Sequence, residues 1–303
     1  MCCFSTKTHV EKTRIFARMT SPSVEVLAYQ MQYAATEPTA MILPLPVALP
    51  AGERSVRWKS LKDQPAFFDR LEVGFPAPRP RGRSKSAHAS AAAAPLQVHE
   101  VGDFIASFVP SVGDFDRVDP RFAIRKDIWG KIPAYADYGF AVFQLKQLSG
   151  SPHPIAFEFD TRLRDTVFFP TVHIHDGSVH AEDNFDHALY LQEPRFDARV
   201  SDYDGPDHAD ASTGFVRSNE TASSFTDVGG SQGLLDGGLL VHRMKIVGKH
   251  ANADTLVALA PRAAMGCGRC DVGGGEVAGV GPGAAALAGL AWVIRRRDRL
   301  RGS

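Results

Sequence analysis

The chain has 303 residues, 44% of them hydrophobic, so it is long enough to bury one large core or two modest ones. Its 34 basic and 34 acidic residues balance, which argues against nucleic acid as the main partner, because phosphate binding needs a net cationic surface. Four cysteines are too few for a disulfide-dense scaffold, and their number leaves the redox compartment open.

The N-terminal third of the sequence predicts β structure. Strand-forming residues cluster at 14–19, 23–33 and 39–47. Pro44 and Pro46 indicate that the third of these is an edge strand or ends there, because proline cannot donate a hydrogen bond to a central ladder.

A short helix is predicted over residues 65–73, where three apolar side chains share one side: Phe67, Phe68 and Leu71. Residues 76–95 follow as a Pro/Arg run and then a Ser/Ala run. This composition buries too little apolar surface to offset the entropy of ordering, so we expect a disordered insertion; a basic arm that contacts an anionic surface is the alternative.

The β pattern resumes after this insertion and continues to about residue 262. Further strands are predicted at 96–101, 104–109, 138–148, 155–159, 167–175, 239–247 and 255–260, with a helix at 120–129 and a long polar loop at 193–230. The sequence therefore predicts a β-rich α+β domain over residues 1–262, with antiparallel sheets and a few short helices. Residues 263–303 are expected to form a Cys/Gly-rich linker and an apolar tail helix with an arginine cluster.

The most specific local pattern surrounds Asp176 and Gly177, a dipeptide typical of a two-residue hairpin turn. Such a turn sets three cross-strand pairs: His175 with Ser178, Ile174 with Val179, and His173 with His180. Because side chains alternate along a strand, the three imidazoles would then share one face.

Three imidazoles on one face could bind zinc and leave a fourth position for water, whose pKa the metal would lower to about 7. Candidates for a fourth ligand or an outer hydrogen-bond partner follow directly in the sequence: Glu182, Asp183, Asp186 and His187. The alternative is the solvated face of an exposed hairpin, and a longer turn would change the register and turn His180 away.

Cysteines and acidic residues suggest three further sites. Loss of Met1 would expose Cys2, which could act as an N-terminal nucleophile with its own amine as base. Cys267 and Cys270 have the spacing of a metal knuckle or a redox pair, although a disulfide or two free thiols also fits. Residues 201–210 carry four carboxylates around a glycine, which indicates either a calcium loop or a solvated acidic loop.

The C-terminal region raises the question of membrane attachment. Eighteen uncharged residues run from Val277 to Ile294, close to the shortest helix that spans a bilayer, and arginines follow them. We expect a membrane anchor there, with a disordered Ala/Gly tail as the alternative. No secretory signal peptide is expected, because the first 20 residues hold four basic residues and no apolar core.

Four short N-terminal motifs resemble the start of an uncharacterised bacterial family of exported proteins: Cys2–Phe4, Arg14–Ala17, Gln30–Tyr33 and Ile42–Pro46. The tail from Gly266 resembles a myxobacterial-type sorting segment, with a Gly-Cys motif, an apolar helix and arginines. The resemblance covers about 45 residues at the front and 38 at the back. It implies export, which the missing signal peptide contradicts, and it implies no activity, since the family has none established.

Taken together, these patterns predict a surface or membrane-tethered protein with a metal site at His173, His175 and His180 and no assigned activity. A hydrolase that uses either a His-bound zinc or Cys2 is the second hypothesis. A protein-interaction module that displays the polar loop at 193–230 is the third.

Overall fold

The computed structural model describes residues 3–76, 99–205 and 209–259. Within them the strands are β1 Cys3–Phe4, β2 Thr8–Ser21, β3 Val24–Ala35, β4 Ala40–Leu45, β5 Val56–Ser60, β6 His99–Val101, β7 Phe104–Val109, β8 Gly139–Leu145, β9 Ser149–Gly150, β10 Ile155–Asp160, β11 Thr166–Phe169, β12 Glu182–Leu191, β13 Phe215–Thr221, β14 Leu240–Ala251 and β15 Thr255–Ala258. The α-helices are α1 Phe67–Val73, α2 Lys126–Trp129 and α3 Pro194–Asp197. Short 3₁₀ helices lie at Val112–Arg117, Pro120–Phe122, Pro133–Tyr135, Ala222–Ser224 and Gly229–Ser231.

The strands form three sheets. An eight-stranded sheet has the order β13-β14-β12-β2-β3-β10-β5, with β9 paired to β3, and a five-stranded sheet has the order β1-β4-β8-β7-β6. Strands β11 and β15 form a separate pair. The pairings are antiparallel except that β12 runs parallel to β2. The prediction of a β-rich fold with antiparallel sheets and few short helices is therefore confirmed.

The two large sheets pack face to face around the main core. Alternation along β3 places Leu27 and Tyr29 on the face that meets the five-stranded sheet, where Phe143 of β8 is also buried. The opposite face of the eight-stranded sheet is covered by α1, through Phe67, Phe68 and Leu71. The outer face of the five-stranded sheet is covered by the segment that carries α2, through Ile128 and Trp129.

Several local predictions match the described elements, and some differ. The predicted helix at 65–73 is present as α1. Strand β4 lies second in its sheet, and Pro44 is compatible with this position because β1 pairs only with Met41 and Ile42. The stretch predicted as a polar loop at 193–230 contains α3 and β13, because two buried rings anchor it: Phe196 and Phe215, whose centroids are 5.4 Å apart.

Some predicted features lie outside the described residues: the insertion at 76–95 beyond Pro76, Cys2, the Cys267 and Cys270 pair, and the segment from Val277 to Ile294. Of the helices in the described ranges, none is both long enough and apolar enough to cross a membrane.

Candidate metal centre

The chain bends at Asp176 and Gly177, but neither the two-residue hairpin turn predicted there nor the hairpin around it is formed. Gly177 has a φ of +78°, and the Ser178 N–H donates to Asp176 Oδ1 at 3.0 Å. Ile174 forms a parallel bridge with Cys3 instead of pairing with Val179. Because Cys3 of β1 pairs with Ile174, residues 173–181 form a loop in which residues 173–175 and 178–180 make no strand ladder with each other.

This loop separates the three predicted histidine ligands. Among residues 3–76, 99–205 and 209–259, one group of His, Cys, Asp and Glu side chains could hold a metal: His173, His175 and Asp183, with ligand atoms within 4.8 Å of one another. His180 lies apart from this group, because its side chain is 53% exposed and its Nε2 lies 3.1 Å from Asp176 Oδ2. Two other candidates have different partners: Glu182 pairs with Lys249, and Asp186 accepts from the Lys12 N–H.

The buried ring of His173 lies against one face of β12. Asp183, Phe185 and His187 alternate along this strand, so their side chains share that face. His173 Nδ1 lies 3.2 Å from Asp183 Oδ2. The His173 ring centroid lies 4.2 Å from that of Phe185 and 5.3 Å from that of His187. His175 stacks on His173 at 5.0 Å, with 20° between the ring planes. In the sequence, the pattern that points to this face is the placement of Asp183, Phe185 and His187 at every second position.

Burial keeps these imidazoles neutral. Desolvation lowers the pKa of His173 to about 2 and that of His175 to about 4, and it also lowers the pKa of His187. A neutral imidazole has a nitrogen lone pair that can bind a metal, whereas an imidazolium has none. The low pKa values therefore favour the form of these rings that acts as a ligand.

Both ring nitrogens of His173 are buried, and neither has a hydrogen-bond partner among the residues that the structure describes. The Asp183 carboxylate is close to Nδ1, but the two groups are not oriented for a hydrogen bond. Buried polar atoms in proteins are nearly always hydrogen-bonded or bound to an ion or water. The unpartnered nitrogens, the carboxylate beside them and the second imidazole thus fit a metal ion.

His187 has a different role from the other two imidazoles. Its Nδ1 accepts a hydrogen bond from the Asp186 N–H at 3.2 Å, so the ring proton lies on Nε2. A nitrogen that carries a proton cannot coordinate a metal. His187 thus presents a buried N–H donor beside His173, and it is not a ligand in this tautomer.

Two imidazole nitrogens and a carboxylate oxygen match the ligand types that zinc accepts. Tetrahedral coordination at roughly 2.1 Å places ligand atoms about 3.4 Å apart. The ligand atoms of the present group lie within 4.8 Å of one another, so they would have to approach each other for tetrahedral coordination. Three protein ligands leave the fourth position for water or another ligand.

Comparisons with known proteins show only a distant structural likeness. No protein-family model matches the chain, and no curated protein matches it. The chain is similar to the crystal structure of baculovirus P35, with 16% identity over 85% of this chain and 99% of that chain, at a TM-score of 0.42. It is also similar to a crystal structure of the caspase-8/P35 complex, with 15% identity over 82% of this chain and 96% of that chain, at a TM-score of 0.42. No residue role follows from a likeness at this level.

Proposed function

We propose that this protein binds a divalent transition metal, with zinc as the best fit, through His173, His175 and Asp183. The observation that carries the proposal is the pair of buried ring nitrogens of His173, which have no hydrogen-bond partner within the described ranges and lie beside a carboxylate and a second imidazole. The ligand set differs from the three histidines that the sequence suggests, since Asp183 takes the place of His180.

Without a metal, the buried nitrogens of His173 cost folding free energy. A buried polar atom without a partner costs about 1–3 kcal/mol. His173 is 0% exposed and contributes two such atoms. Bonds to a cation offset this cost, and the Asp183 carboxylate supplies negative charge next to it.

The position of the ligands indicates what the metal would do to the fold. His173 and His175 belong to the loop at 173–181, whereas Asp183 belongs to β12. An ion held by all three would fix the loop on the eight-stranded sheet. A metal that binds the folded chain and not the unfolded chain stabilises the folded chain by about 2.7 kcal/mol when the free metal concentration is 100 times the Kd.

The test measures zinc binding by titration calorimetry and by metal content after dialysis, on the full chain. Loss of an outer hydrogen-bond partner weakens metal binding by roughly 10- to 100-fold. Because His173→Ala and Asp183→Asn each remove a ligand, they are expected to weaken zinc binding by more than this. His180→Ala is the matched control, because it removes an exposed imidazole from the same loop, and it is expected to bind zinc as the wild type does.

Two results would contradict the proposal. A wild-type protein that holds no more zinc than His173→Ala has no site at these residues. A loss of binding in His180→Ala with unchanged binding in Asp183→Asn would instead support the three-histidine site predicted from the sequence.

A further inference from the structure

The loop at 173–181 carries two of the proposed ligands. Asn252, which lies outside the loop, is hydrogen-bonded to residues at both of its ends. Asn252 lies in the turn between β14 and β15. Its Oδ1 accepts from the His173 N–H at 2.6 Å, and its Nδ2 donates to the His173 carbonyl at 2.9 Å. The same Nδ2 donates to the His180 carbonyl at 3.0 Å, and the Asn252 N–H donates to the Ala181 carbonyl at 3.0 Å.

A second residue of that turn holds the segment that enters the loop. Asp254 Oδ1 accepts from the N–H groups of Thr171 and Val172, at 2.8 and 3.2 Å. Its Oδ2 accepts from the Tyr135 hydroxyl at 2.7 Å. Residues 171 to 173 belong to no strand, so these side chains replace the ladder partners that a strand would give them.

We propose that the turn at residues 252–254 positions the metal centre, through Asn252 and Asp254. The inference rests on the proposed function. Closing the loop between residues 173 and 181 sets the separation of His173 from Asp183, which follows Ala181 by two residues. Neither Asn252 nor Asp254 belongs to the proposed ligand set, so they would act through the backbone that carries the ligands.

A positioning role differs from a general contribution to folding in two measurable ways. It changes the geometry of the bound ion, which the visible absorption of bound Co²⁺ reports because the ligand geometry determines the d–d bands. It also lowers metal affinity by about 10-fold, the lower end of the effect of outer hydrogen-bond partners. A general loss of stability changes neither quantity in molecules that remain folded.

The experiment compares Asn252→Ala with the wild type, using full chains titrated with Zn²⁺ and with Co²⁺ at pH 7.5. We expect about 10-fold weaker Zn²⁺ affinity and an altered Co²⁺ spectrum. Asn219→Ala is the matched control: Asn219 Nδ2 also donates to a backbone carbonyl, that of Tyr203 at 3.0 Å, and we expect wild-type affinity and spectrum.

Asp254 provides a second comparison that does not depend on the folding of Asn252→Ala. Asp254→Asn keeps an oxygen for the Thr171 and Val172 N–H groups and is expected to bind Zn²⁺ at the wild-type affinity. Asp254→Ala lacks that oxygen and is expected to bind about 10-fold more weakly.

The outcomes separate this inference from the proposed function. A wild type that binds Zn²⁺ while Asn252→Ala has the same affinity and Co²⁺ spectrum overturns the positioning role alone. An equal loss in Asn219→Ala, or in both Asp254 variants, overturns it as well. A wild type that binds no Zn²⁺ overturns the proposed function, and the positioning role with it.

Discussion

Asp254 is expected to make the free energy of unfolding depend on pH in the opposite direction to an ordinary surface carboxylate. Desolvation raises the pKa of Asp254 from its ordinary value of 3.8 to about 6, although hydrogen bonds from Tyr135, Val172 and Thr171 lower it. Between these two pH values the folded chain holds a proton that the unfolded chain has already released. The free energy of unfolding therefore falls as the pH rises through this interval and is constant above it.

The size of this effect follows from the shift. A difference of about 2 pH units corresponds to about 3 kcal/mol, at 1.36 kcal/mol per unit. Asp254→Asn has nearly the same shape and no charge, so it lacks this pH dependence. Relative to the wild type, the variant is expected to gain about 3 kcal/mol of stability between pH 3.5 and pH 7.

Urea unfolding of both proteins across this pH range, in the presence of a chelator, measures the difference. Asp210→Asn serves as control, because hydrogen bonds from Ser212 and Thr213 lower the pKa of Asp210 to about 2. The stabilisation from Asp210 is lost only as the pH falls below 3.8. The difference in the free energy of unfolding between Asp210→Asn and the wild type is therefore expected to stay nearly constant from pH 4 to 7. A difference for Asp254→Asn that stays constant over the same range would contradict a raised pKa of Asp254.

Three other predictions concern separate parts of the chain. Burial raises the pKa of Glu25 well above its usual range, so Glu25→Gln is expected to raise the free energy of unfolding at pH 7 and to lose this advantage at pH 4 in urea titrations. Phe157→Ala removes a fully buried ring between the two large sheets and is expected to cost about 3–5 kcal/mol; a loss below about 1 kcal/mol would contradict its placement. Deletion from Gly273 onward is expected to move the protein from the membrane fraction to the supernatant, and an unchanged membrane fraction would contradict an anchor from Val277 to Ile294.

The sequence alone was sufficient for the parts of the fold that local rules specify. Alternating apolar residues predicted several strands, among them β2, β3, β7 and β10, because side-chain spacing follows directly from backbone geometry. Phe67, Phe68 and Leu71 predicted α1 for the same reason. The bend at Asp176 and Gly177 was likewise predictable, since glycine favours the positive φ that Gly177 adopts, although the two-residue turn predicted there is not formed.

The composition of the site depended on the tertiary structure. The sequence identified His173 and His175 as candidate ligands. The third candidate ligand depended on which strand the loop contacts in the folded chain. Ile174 pairs with Cys3, which is 171 positions earlier in the chain, and this pairing replaces the hairpin that would have placed His180 beside His173. Asp183 then becomes the third candidate ligand through its place on β12.

The same distinction applies to the residues that we propose position the candidate site. Asn252 is a single polar residue in a short turn, and no local pattern relates it to His173, which precedes it by 79 positions. Local sequence specifies which residues alternate, turn and carry ligand atoms, because these properties depend on neighbours along the chain. The tertiary structure alone decided which of them meet, because strand pairing joins segments whose separation in sequence carries no local pattern.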